Sequence, residues 1–271
     1  MRAAVVGAKG GMGGWLLRHL AALGHEVAAV DTRTDPLEQL SGFDLVVVSV
    51  PISATPGVIR VVAPKMRRSA VLAEVASLKE DSHGALATVS GFGLTTLCLH
   101  PMFGPSTDSL SGSVVAVVPV VDAEGEAGLA RSLFPGADIV TLGASRHDRC
   151  MAVVLSLPYA VNLALSRVIG GEDLKLASRM AGSTFAVQYT LAQSVSGESP
   201  TLTRDLLSCN ASLAPLLKAF EDSLGDVVWA SGDDARFSAL HTEIVGALCQ
   251  DPSFSGAKER RQRAYMAVAG A

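Results

Sequence analysis

The chain has 271 residues, 49% of them hydrophobic, and a net charge of −4, which together predict a globular protein large enough for two domains. Lys and Arg never run longer than two residues, and no apolar stretch reaches about 18 residues, so neither nucleic acid nor a membrane is expected as a partner. The four scattered cysteines fit no zinc motif, and the first strand leaves no room for a signal peptide, so we expect no metal site and a cytoplasmic protein with buried, reduced thiols.

A glycine-rich turn follows the first predicted strand, residues 3–6, and precedes a helix that ends at Gly24. The second strand, residues 27–30, ends at Asp31. This order is typical of dinucleotide binding, because glycines let the backbone approach a pyrophosphate and the helix N-terminus supplies N–H groups. Asp31 can accept hydrogen bonds from ribose hydroxyls, which favours NAD, although the nearby Arg33 weakens that preference. The predicted cofactor residues here are Gly7, Ala8, Lys9, Gly10, Gly11, Met12, Gly13 and Asp31.

The glycine spacing departs from the usual G-x-G-x-x-G, with Ala8 in the first position, so a purely structural turn is the alternative. Further strands are predicted over residues 44–50, 70–75, 94–99, 113–121 and 139–142, with helices over 58–62 and 124–133. This alternation predicts a doubly wound α/β sheet. Strand ends in such a sheet face the cofactor crevice, so Ser49, Val50 and Pro51 are expected to line it.

Two polar residues at strand ends are candidates for chemistry. Ser77 follows the fourth strand, where its hydroxyl can either face the crevice or cap the next helix. His100 ends the fifth strand and is held by Pro101 and Pro105, which restrict the backbone around it. An imidazole is the side chain best suited to accept a proton near neutral pH, so His100 is the candidate base. A structural histidine is the alternative.

Beyond Ala144 the chain has no strand-like runs, and helices are predicted over residues 146–167, 173–195, 200–223, 231–249 and 254–269. The first of these is apolar on more than one face and needs cover on all sides, so mutual burial in a homodimer is expected. The sequence therefore predicts a Rossmann-type dinucleotide-binding domain over residues 1–144. An all-helical substrate and dimerisation domain is predicted over residues 145–271.

These segments together resemble the prephenate dehydrogenase family of tyrosine biosynthesis. The resemblance covers about residues 3–165 and is weaker beyond. It is carried, in family order, by Gly11-Met12-Gly13, residues 47–52, residues 76–79, residues 100–105, and His147-Asp148 followed by Met151-Ala152.

The resemblance implies oxidative decarboxylation of a prephenate-type cyclohexadienol to an aromatic phenylpyruvate. In that reaction NAD takes a hydride from ring C4, CO2 leaves C1, and no metal is required. It implies that His100 accepts the hydroxyl proton, and that Ser77 bonds the same hydroxyl or orients His100. His147 would frame the crevice or serve the structure. The implied substrate-binding residues are Lys79, Met102, Phe103, Gly104, His147, Tyr159, Gln188 and Tyr189.

One departure from the family concerns substrate choice. Family members that use prephenate place an arginine on a helix of the second domain, whereas residues 182–203 here contain no Lys or Arg. Arogenate and 4-amino-4-deoxyprephenate, the latter found in antibiotic pathways, are therefore alternative substrates, unless Arg167, Arg179 or Arg204 supplies the charge.

Two other classes are disfavoured. A 3-hydroxyacid dehydrogenase needs a lysine on the first long helix of its second domain, and residues 147–166 contain none. A non-catalytic NAD-sensing protein has no reason to keep Ser77, Lys79 and His100 together.

Overall fold

The computed structural model describes residues 1–270 and separates them into two compact units. The first unit contains residues 1–152 and 204–210, and the second contains residues 153–203 and 211 onward. The chain therefore returns to the first unit for one short segment after it has entered the second. The predicted division after Ala144 differs from this arrangement, because the second unit begins at residue 153 and because residues 204–210 belong to the first unit.

The first unit is built on one seven-stranded sheet with the strand order β2-β1-β3-β4-β5-β6-β7. Strands β1 to β5 are parallel, β6 is antiparallel to β5, and β7 is parallel to β6. The parallel strands therefore present their carboxyl ends at one common edge. The strands are β1 (Arg2–Val6), β2 (Glu26–Val30), β3 (Leu45–Val48), β4 (Val71–Glu74), β5 (Thr95–Pro101), β6 (Val114–Val117) and β7 (Asp138–Thr141).

Helices cover both faces of this sheet, which confirms the predicted α/β fold. Alternate residues of β1 point to opposite sides, with Ala4 and Val6 in one core and Ala3 and Val5 in the other. Short 3-10 turns occupy Leu37–Gly42, Ile52–Ala54, Ala63–Lys65 and Ser90–Phe92. The helices are α1 (Gly11–Ala22), α2 (Thr55–Val62), α3 (Glu80–Val89), α4 (Ala123–Leu133) and α5 (Ala144–Met151).

The second unit is helical, as predicted, but two of the predicted helices are broken. The segment over 173–195 divides at Gly182, whose extended backbone precedes the second piece. The segment over 200–223 divides at Asn210, which lies in the first unit and is hydrogen-bonded there. The helices are α6 (Leu157–Ile169), α7 (Leu174–Arg179), α8 (Ser183–Ser196), α9 (Pro200–Ser208), α10 (Leu213–Ala230), α11 (Asp234–Leu248) and α12 (Ala257–Ala269), with a 3-10 turn at Pro252–Gly256 before α12.

A π-helical turn, Ala152–Ser156, joins α5 to α6 into one continuous run, Ala144–Ile169. By length and composition this run could cross a membrane, with a mean hydropathy of 1.6 and 17% of its most apolar window buried. Its first turns, however, bury His147 and Asp148 inside the first unit. The expectation that the chain has no membrane span stays a prediction.

The cysteines were predicted to be both reduced and buried, and the two parts of this prediction have different outcomes. All four are free thiols, as expected, but only Cys98 is buried. Cys150 and Cys249 are exposed, so the prediction of buried thiols is wrong for them, because both lie at the outer surface of their helical segments.

Candidate active site

The glycine turn connects β1 to α1 at the common edge of the parallel strands. Gly7 has a φ of +89°, a conformation that favours glycine, and a Cβ at this position would lie 2.2 Å from the Ser49 carbonyl oxygen. A Cβ on Gly13 would lie 2.3 Å from the Gly7 carbonyl oxygen. These two glycines therefore let α1 and the segment after β3 pack tightly against the turn.

The rest of the turn is open in the way a dinucleotide requires. Gly10 and Gly11 are exposed, and α1 begins at Gly11 without a side-chain cap on its first N–H groups. Uncapped N–H groups at a helix N-terminus form a site suited to a pyrophosphate. Lys9 is exposed beside them, whereas Ala8 and Met12 pack on the core. The turn therefore fits a dinucleotide, and its N–H groups would hold the phosphates.

Asp31 lies directly after β2, where a ribose-binding carboxylate is expected, but it has two basic neighbours. Arg33 donates hydrogen bonds from Nε to Oδ1 at 3.2 Å and from a terminal nitrogen to Oδ2 at 3.1 Å. The Lys9 ammonium lies 3.6 Å from Oδ2. Hydrogen bonds from Arg33 hold the pKa of Asp31 well below its ordinary value, so the carboxylate is ionised.

The predicted crevice residues after β3 are at the same edge. The Ser49 N–H donates to the Val6 carbonyl oxygen at 2.8 Å, which fixes the start of this segment beside the glycine turn. Val50 is half-buried against the core and Pro51 is exposed. Pro51 leads into the 3-10 turn Ile52–Ala54, which is held by a residue from much later in the chain, as described below.

His100 is the second-last residue of β5 and is almost completely buried. Its Nδ1 lies 3.0 Å from Nε2 of His147, and the two rings meet edge to face with centroids 5.1 Å apart. Nδ1 of His147 lies 2.7 Å from Oδ1 of Asp148. Burial, together with the nearby Lys79 ammonium and His147, lowers the pKa of His100 well below 6.5, so His100 is neutral at physiological pH.

This hydrogen-bonded chain determines which nitrogen of His100 carries a proton. The Asp148 carboxylate can only accept, so Nδ1 of His147 donates to it, and the other ring nitrogen of His147, Nε2, is placed to accept from Nδ1 of His100. The Nε2 lone pair of His100 is then left to accept a proton. His147, expected to frame the crevice or serve the structure, is thus placed to orient His100.

Asp148 also caps α3 from outside that helix. Its carboxylate accepts hydrogen bonds from the N–H groups of Lys79 at 2.8 Å and Glu80 at 2.9 Å. A carboxylate at this position also complements the helix dipole. The N-cap residue of α3 makes no side-chain capping hydrogen bond of its own. Asp148 therefore fills the capping role that was one of the two considered for Ser77. Ser77 is half-buried in the turn after β4.

Lys79 differs from its predicted role in substrate binding. Its side chain is fully buried, and its ammonium is paired with the Glu74 carboxylate and donates to the Leu99 carbonyl oxygen at 2.6 Å. Glu74 also accepts from Ser82 and Cys98, each at 3.0 Å. A buried ammonium with these partners does not face a substrate. Lys79 instead ties the start of α3 to β5 directly before His100.

The loop after β5 is held on α1. The Phe103 ring meets the Trp15 ring edge to face at 5.1 Å, and Trp15 Nε1 donates to the Thr107 carbonyl oxygen at 2.8 Å. Met102 and Gly104 are exposed. Phe103 therefore contributes packing, while Met102 and Gly104 remain accessible for the predicted contact with a substrate.

Three predicted substrate residues belong to the second unit. Tyr159 lies on α6, where burial and the nearby Glu198 raise the pKa of its hydroxyl. Gln188 on α8 donates to the buried Asn162 on α6 at 2.7 Å. Tyr189 stacks on Phe185 at 5.3 Å. Gln188 is thus already bound by a neutral amide partner within this unit.

Two residues of the site were not predicted. Asp205 and Asn210 are buried in the first unit although they fall within the predicted second domain, residues 145–271. Asp205 binds Ser53, and Asn210 donates to the Asp148 carbonyl oxygen at 2.9 Å. No local sequence pattern predicts these contacts, because the two partners of each hydrogen bond lie far apart along the chain.

Two family models match the chain. The nucleotide-binding domain of prephenate dehydrogenase matches residues 18–128, and the dimerization domain of prephenate dehydrogenase matches residues 143–230. A 4-amino-4-deoxyprephenate dehydrogenase from Streptomyces pristinaespiralis is 30% identical, with 91% of each chain covered.

A probable arogenate/prephenate dehydrogenase from Methanocaldococcus jannaschii is 26% identical over 80% of this chain. The chain spans about half of that relative's length, 53%. Among solved structures, prephenate dehydrogenase from Aquifex aeolicus in complex with hydroxyphenyl propionate and NAD+ has a TM-score of 0.68 at 17% identity, with 93% of this chain and 99% of that chain covered. This structural likeness supports the fold described above.

Proposed function

This chain belongs to the prephenate dehydrogenase family, and we propose that it catalyses the NAD-dependent oxidative decarboxylation of a prephenate-type cyclohexadienol to a 4-substituted phenylpyruvate. The observation that carries this proposal is the buried chain Asp148–His147–His100, which lies at the same edge of the sheet as the dinucleotide turn. A protein that only bound a nucleotide would have no use for an oriented, neutral imidazole there.

The role of His100 follows from its hydrogen bonds. Its Nε2 accepts the proton of the C4 hydroxyl as the C4–O bond becomes a carbonyl. Nδ1–H remains bonded to His147, so the positive charge that develops on His100 is shared with the hydrogen-bonded chain that ends at the Asp148 carboxylate. Ser77, which does not cap α3, is left to bond the same hydroxyl.

The remaining steps balance without a metal. A bound nicotinamide would supply the acceptor for the hydride that leaves ring C4. The electron pair of the C1–carboxylate bond then enters the ring as CO2 leaves, and the former carbonyl oxygen becomes a phenol by recovering a proton. Because the product ring is aromatic, the cleavage needs no further catalytic group.

We propose NAD as the cofactor because Asp31 is ionised at the ribose position, where it would repel a 2′-phosphate. The related Aquifex aeolicus structure contains NAD+, which is consistent with this assignment. Arg33 and Lys9 oppose the preference, because both cations lie beside the same carboxylate.

A second candidate substrate, 4-amino-4-deoxyprephenate, is supported by the Streptomyces pristinaespiralis relative, which matches nearly the full length and is named for that substrate. Residues 182–203, which contain α8, lack Lys and Arg, and Gln188 on that helix is paired with Asn162, so this helix offers a substrate carboxylate no positive charge. Arg204, one of three arginines that could compensate, is already paired with Asp205 at 2.7 Å.

A substrate panel decides between these candidates. We would measure kcat/KM for prephenate, arogenate and 4-amino-4-deoxyprephenate by NADH absorbance. A lost charge-assisted hydrogen bond to a carboxylate corresponds to about 10- to 100-fold in binding, so prephenate should be a poorer substrate than arogenate, whose side chain carries an amine, unless Arg167 or Arg179 supplies the charge and its replacement by Ala abolishes the use of prephenate. The comparison of prephenate with 4-amino-4-deoxyprephenate reports on ring C4, where the two differ. If prephenate is best and neither arginine matters, the argument from the missing charge is wrong. If no cyclohexadienol is oxidised although NAD binds, the nucleotide-sensing alternative is favoured.

We further propose that the protein is a cytoplasmic homodimer joined through the second unit. The match to a dimerization domain over residues 143–230 supports self-association. So do the apolar side chains that this unit leaves exposed, such as Val168 at 71%, Met180 at 78% and Val228 at 66%. Four free thiols are consistent with a reducing compartment.

A further inference from the structure

The segment Arg204–Asn210 leaves the second unit and lies within the first. It is the end of α9 together with the two residues that follow that helix. Three of its seven residues, Asp205, Leu206 and Asn210, are buried, so it is packed into the first unit rather than resting on its surface. We call residues 204–210 the return segment.

One end of the return segment holds the turn after β3. The Asp205 carboxylate accepts hydrogen bonds from the Ser53 N–H at 3.0 Å and from the Ser53 hydroxyl at 2.7 Å. Burial disfavours the charge on Asp205, but bonds from Ser53 and Arg204 outweigh it, and the pKa of Asp205 is lowered. Ser53 lies in the 3-10 turn that directly follows Ser49, Val50 and Pro51.

The other end holds the helix that carries the proton-accepting chain. Asn210 Nδ2 donates to the main-chain carbonyl oxygen of Asp148 at 2.9 Å. The carboxylate of the same Asp148 accepts hydrogen bonds from the His147 imidazole and from the first N–H groups of α3. Asn210 therefore fixes the backbone of the residue on which the orientation of His100 depends.

We propose that Asp205 and Asn210 are positioning residues for the two halves of the reaction, Asp205 for the dinucleotide and Asn210 for the histidine base. This inference rests on the proposed function. One seven-residue segment thus sets both the cofactor-side turn and the base-side helix, and the two contacts act on different steps. Loss of the Ser53 contact loosens cofactor binding, whereas loss of the Asp148 contact misplaces His100.

The first test is the split between KM and kcat. Because each contact includes a hydrogen bond to a charged or buried group, Asp205→Ala should raise the KM for NAD about 10-fold and change kcat by less than about 2-fold. Asn210→Ala should lower kcat about 10-fold and leave the KM for NAD within about 2-fold. Asp205→Asn keeps an acceptor for Ser53 and should restore most of the lost affinity.

A control on the same helix separates positioning from folding. Thr203→Ala removes a hydroxyl that donates to the carbonyl oxygen of Ser199, directly before α9 and outside the return segment, and should leave both constants unchanged. If Asp205→Ala does not fold, Ser53→Ala removes only the hydroxyl half of the contact and should raise the KM for NAD about 3-fold. If Asp205 and Asn210 had a purely structural role, Asp205→Ala and Asn210→Ala would lower the melting temperature, while the folded enzyme would keep its normal kcat and its normal KM for NAD. That result would overturn the proposal.

The proposed function can fail separately. NAD affinity measured by titration without substrate reports on Asp205 whatever the substrate is. If NAD binds to the wild type and weakens in Asp205→Ala, but no cyclohexadienol is oxidised, the proposed function fails while the Asp205 assignment stands. If the titration shows equal NAD affinity in both proteins, the Asp205 assignment is wrong. If Asn210→Ala turns over an accepted substrate at the wild-type rate, the Asn210 assignment is wrong.

Discussion

The two units bury different kinds of residue. The first unit has a full apolar core on each side of its sheet, and it also buries charged side chains that are paired with each other, such as Lys79 with Glu74. Within residues 153–203 and 211–270, the hydrophobic residues that are fully covered are Ala192, Leu213 and Ala230. The second unit therefore fully buries few of its apolar side chains, although its helices are well formed.

This difference indicates how each unit is stabilised. The first unit has its own core and can hold charges in fixed positions, as a chemical site requires. The second unit leaves many large apolar side chains exposed, and these form the surface that the proposed dimer would cover. The proposed chemistry depends on the first, and the proposed assembly on the second.

The largest expected effect tests whether the chemistry depends on the first unit. His100→Ala removes the proton acceptor, so kcat should fall about 10²- to 10⁴-fold, the range for a general base, while NAD still binds. Ser77→Ala should cost less, because it removes only a hydrogen bond to the same hydroxyl. Steady-state kinetics and an NAD titration measure both effects. Near-normal turnover in His100→Ala would contradict the mechanism.

The next effect tests the second unit. Leu224 lies on the exposed apolar stripe of α10 with Phe220 and Val228, and Leu224→Glu would place a carboxylate in the proposed dimer interface. Because a buried unpaired charge costs several kcal/mol, the dimer dissociation constant should rise at least about 100-fold. Analytical ultracentrifugation at micromolar concentration measures it.

Asp226→Asn is the matched control, because Asp226 lies on the opposite side of the same helix. It should leave the assembly unchanged. A wild-type protein that is monomeric at micromolar concentration would refute the dimer altogether.

A smaller effect concerns the cofactor. NAD should be preferred over NADP, and Asp31→Ala should narrow the ratio of the two kcat/KM values about 10-fold, because it removes the repulsion of a 2′-phosphate. Arg33→Ala should widen the ratio, because the guanidinium that neutralises Asp31 is lost. A wild-type preference for NADP would mean that Arg33 and Lys9 outweigh Asp31.

The smallest effect is a pH dependence of stability in the first unit. The pKa of His100 is lowered in the folded protein, so below pH 6.5 the unfolded chain binds a proton that the folded chain does not. The free energy of unfolding should therefore fall as pH decreases below 6.5, and His100 contributes at most about 1.4 kcal/mol per pH unit to this fall. Above pH 6.5, His100 should make no contribution to the pH dependence of the free energy of unfolding. His100→Gln should reduce that slope, as measured by urea unfolding between pH 5 and about 8. Equal slopes in the two proteins would contradict the lowered pKa.

The sequence by itself determined most of the first unit. Short apolar runs and the glycine turn predicted all seven strands and the place of Asp31, because buried parallel strands and tight turns depend on local composition. It also predicted that the second half is helical and has too much apolar surface to bury alone. His100 could be singled out because prolines and an apolar run flank it in the sequence.

Only the tertiary structure decided what the polar residues do. The sequence assigned Lys79 to a substrate, but its ammonium is buried against Glu74. It allowed Ser77 as a helix cap, but Asp148 fills that position from another helix. It placed Asn210 in the helical domain, but that residue binds in the first unit. A hydrogen bond between residues far apart in the chain leaves no local pattern, so the partner of a polar side chain becomes known only when the fold brings the two together.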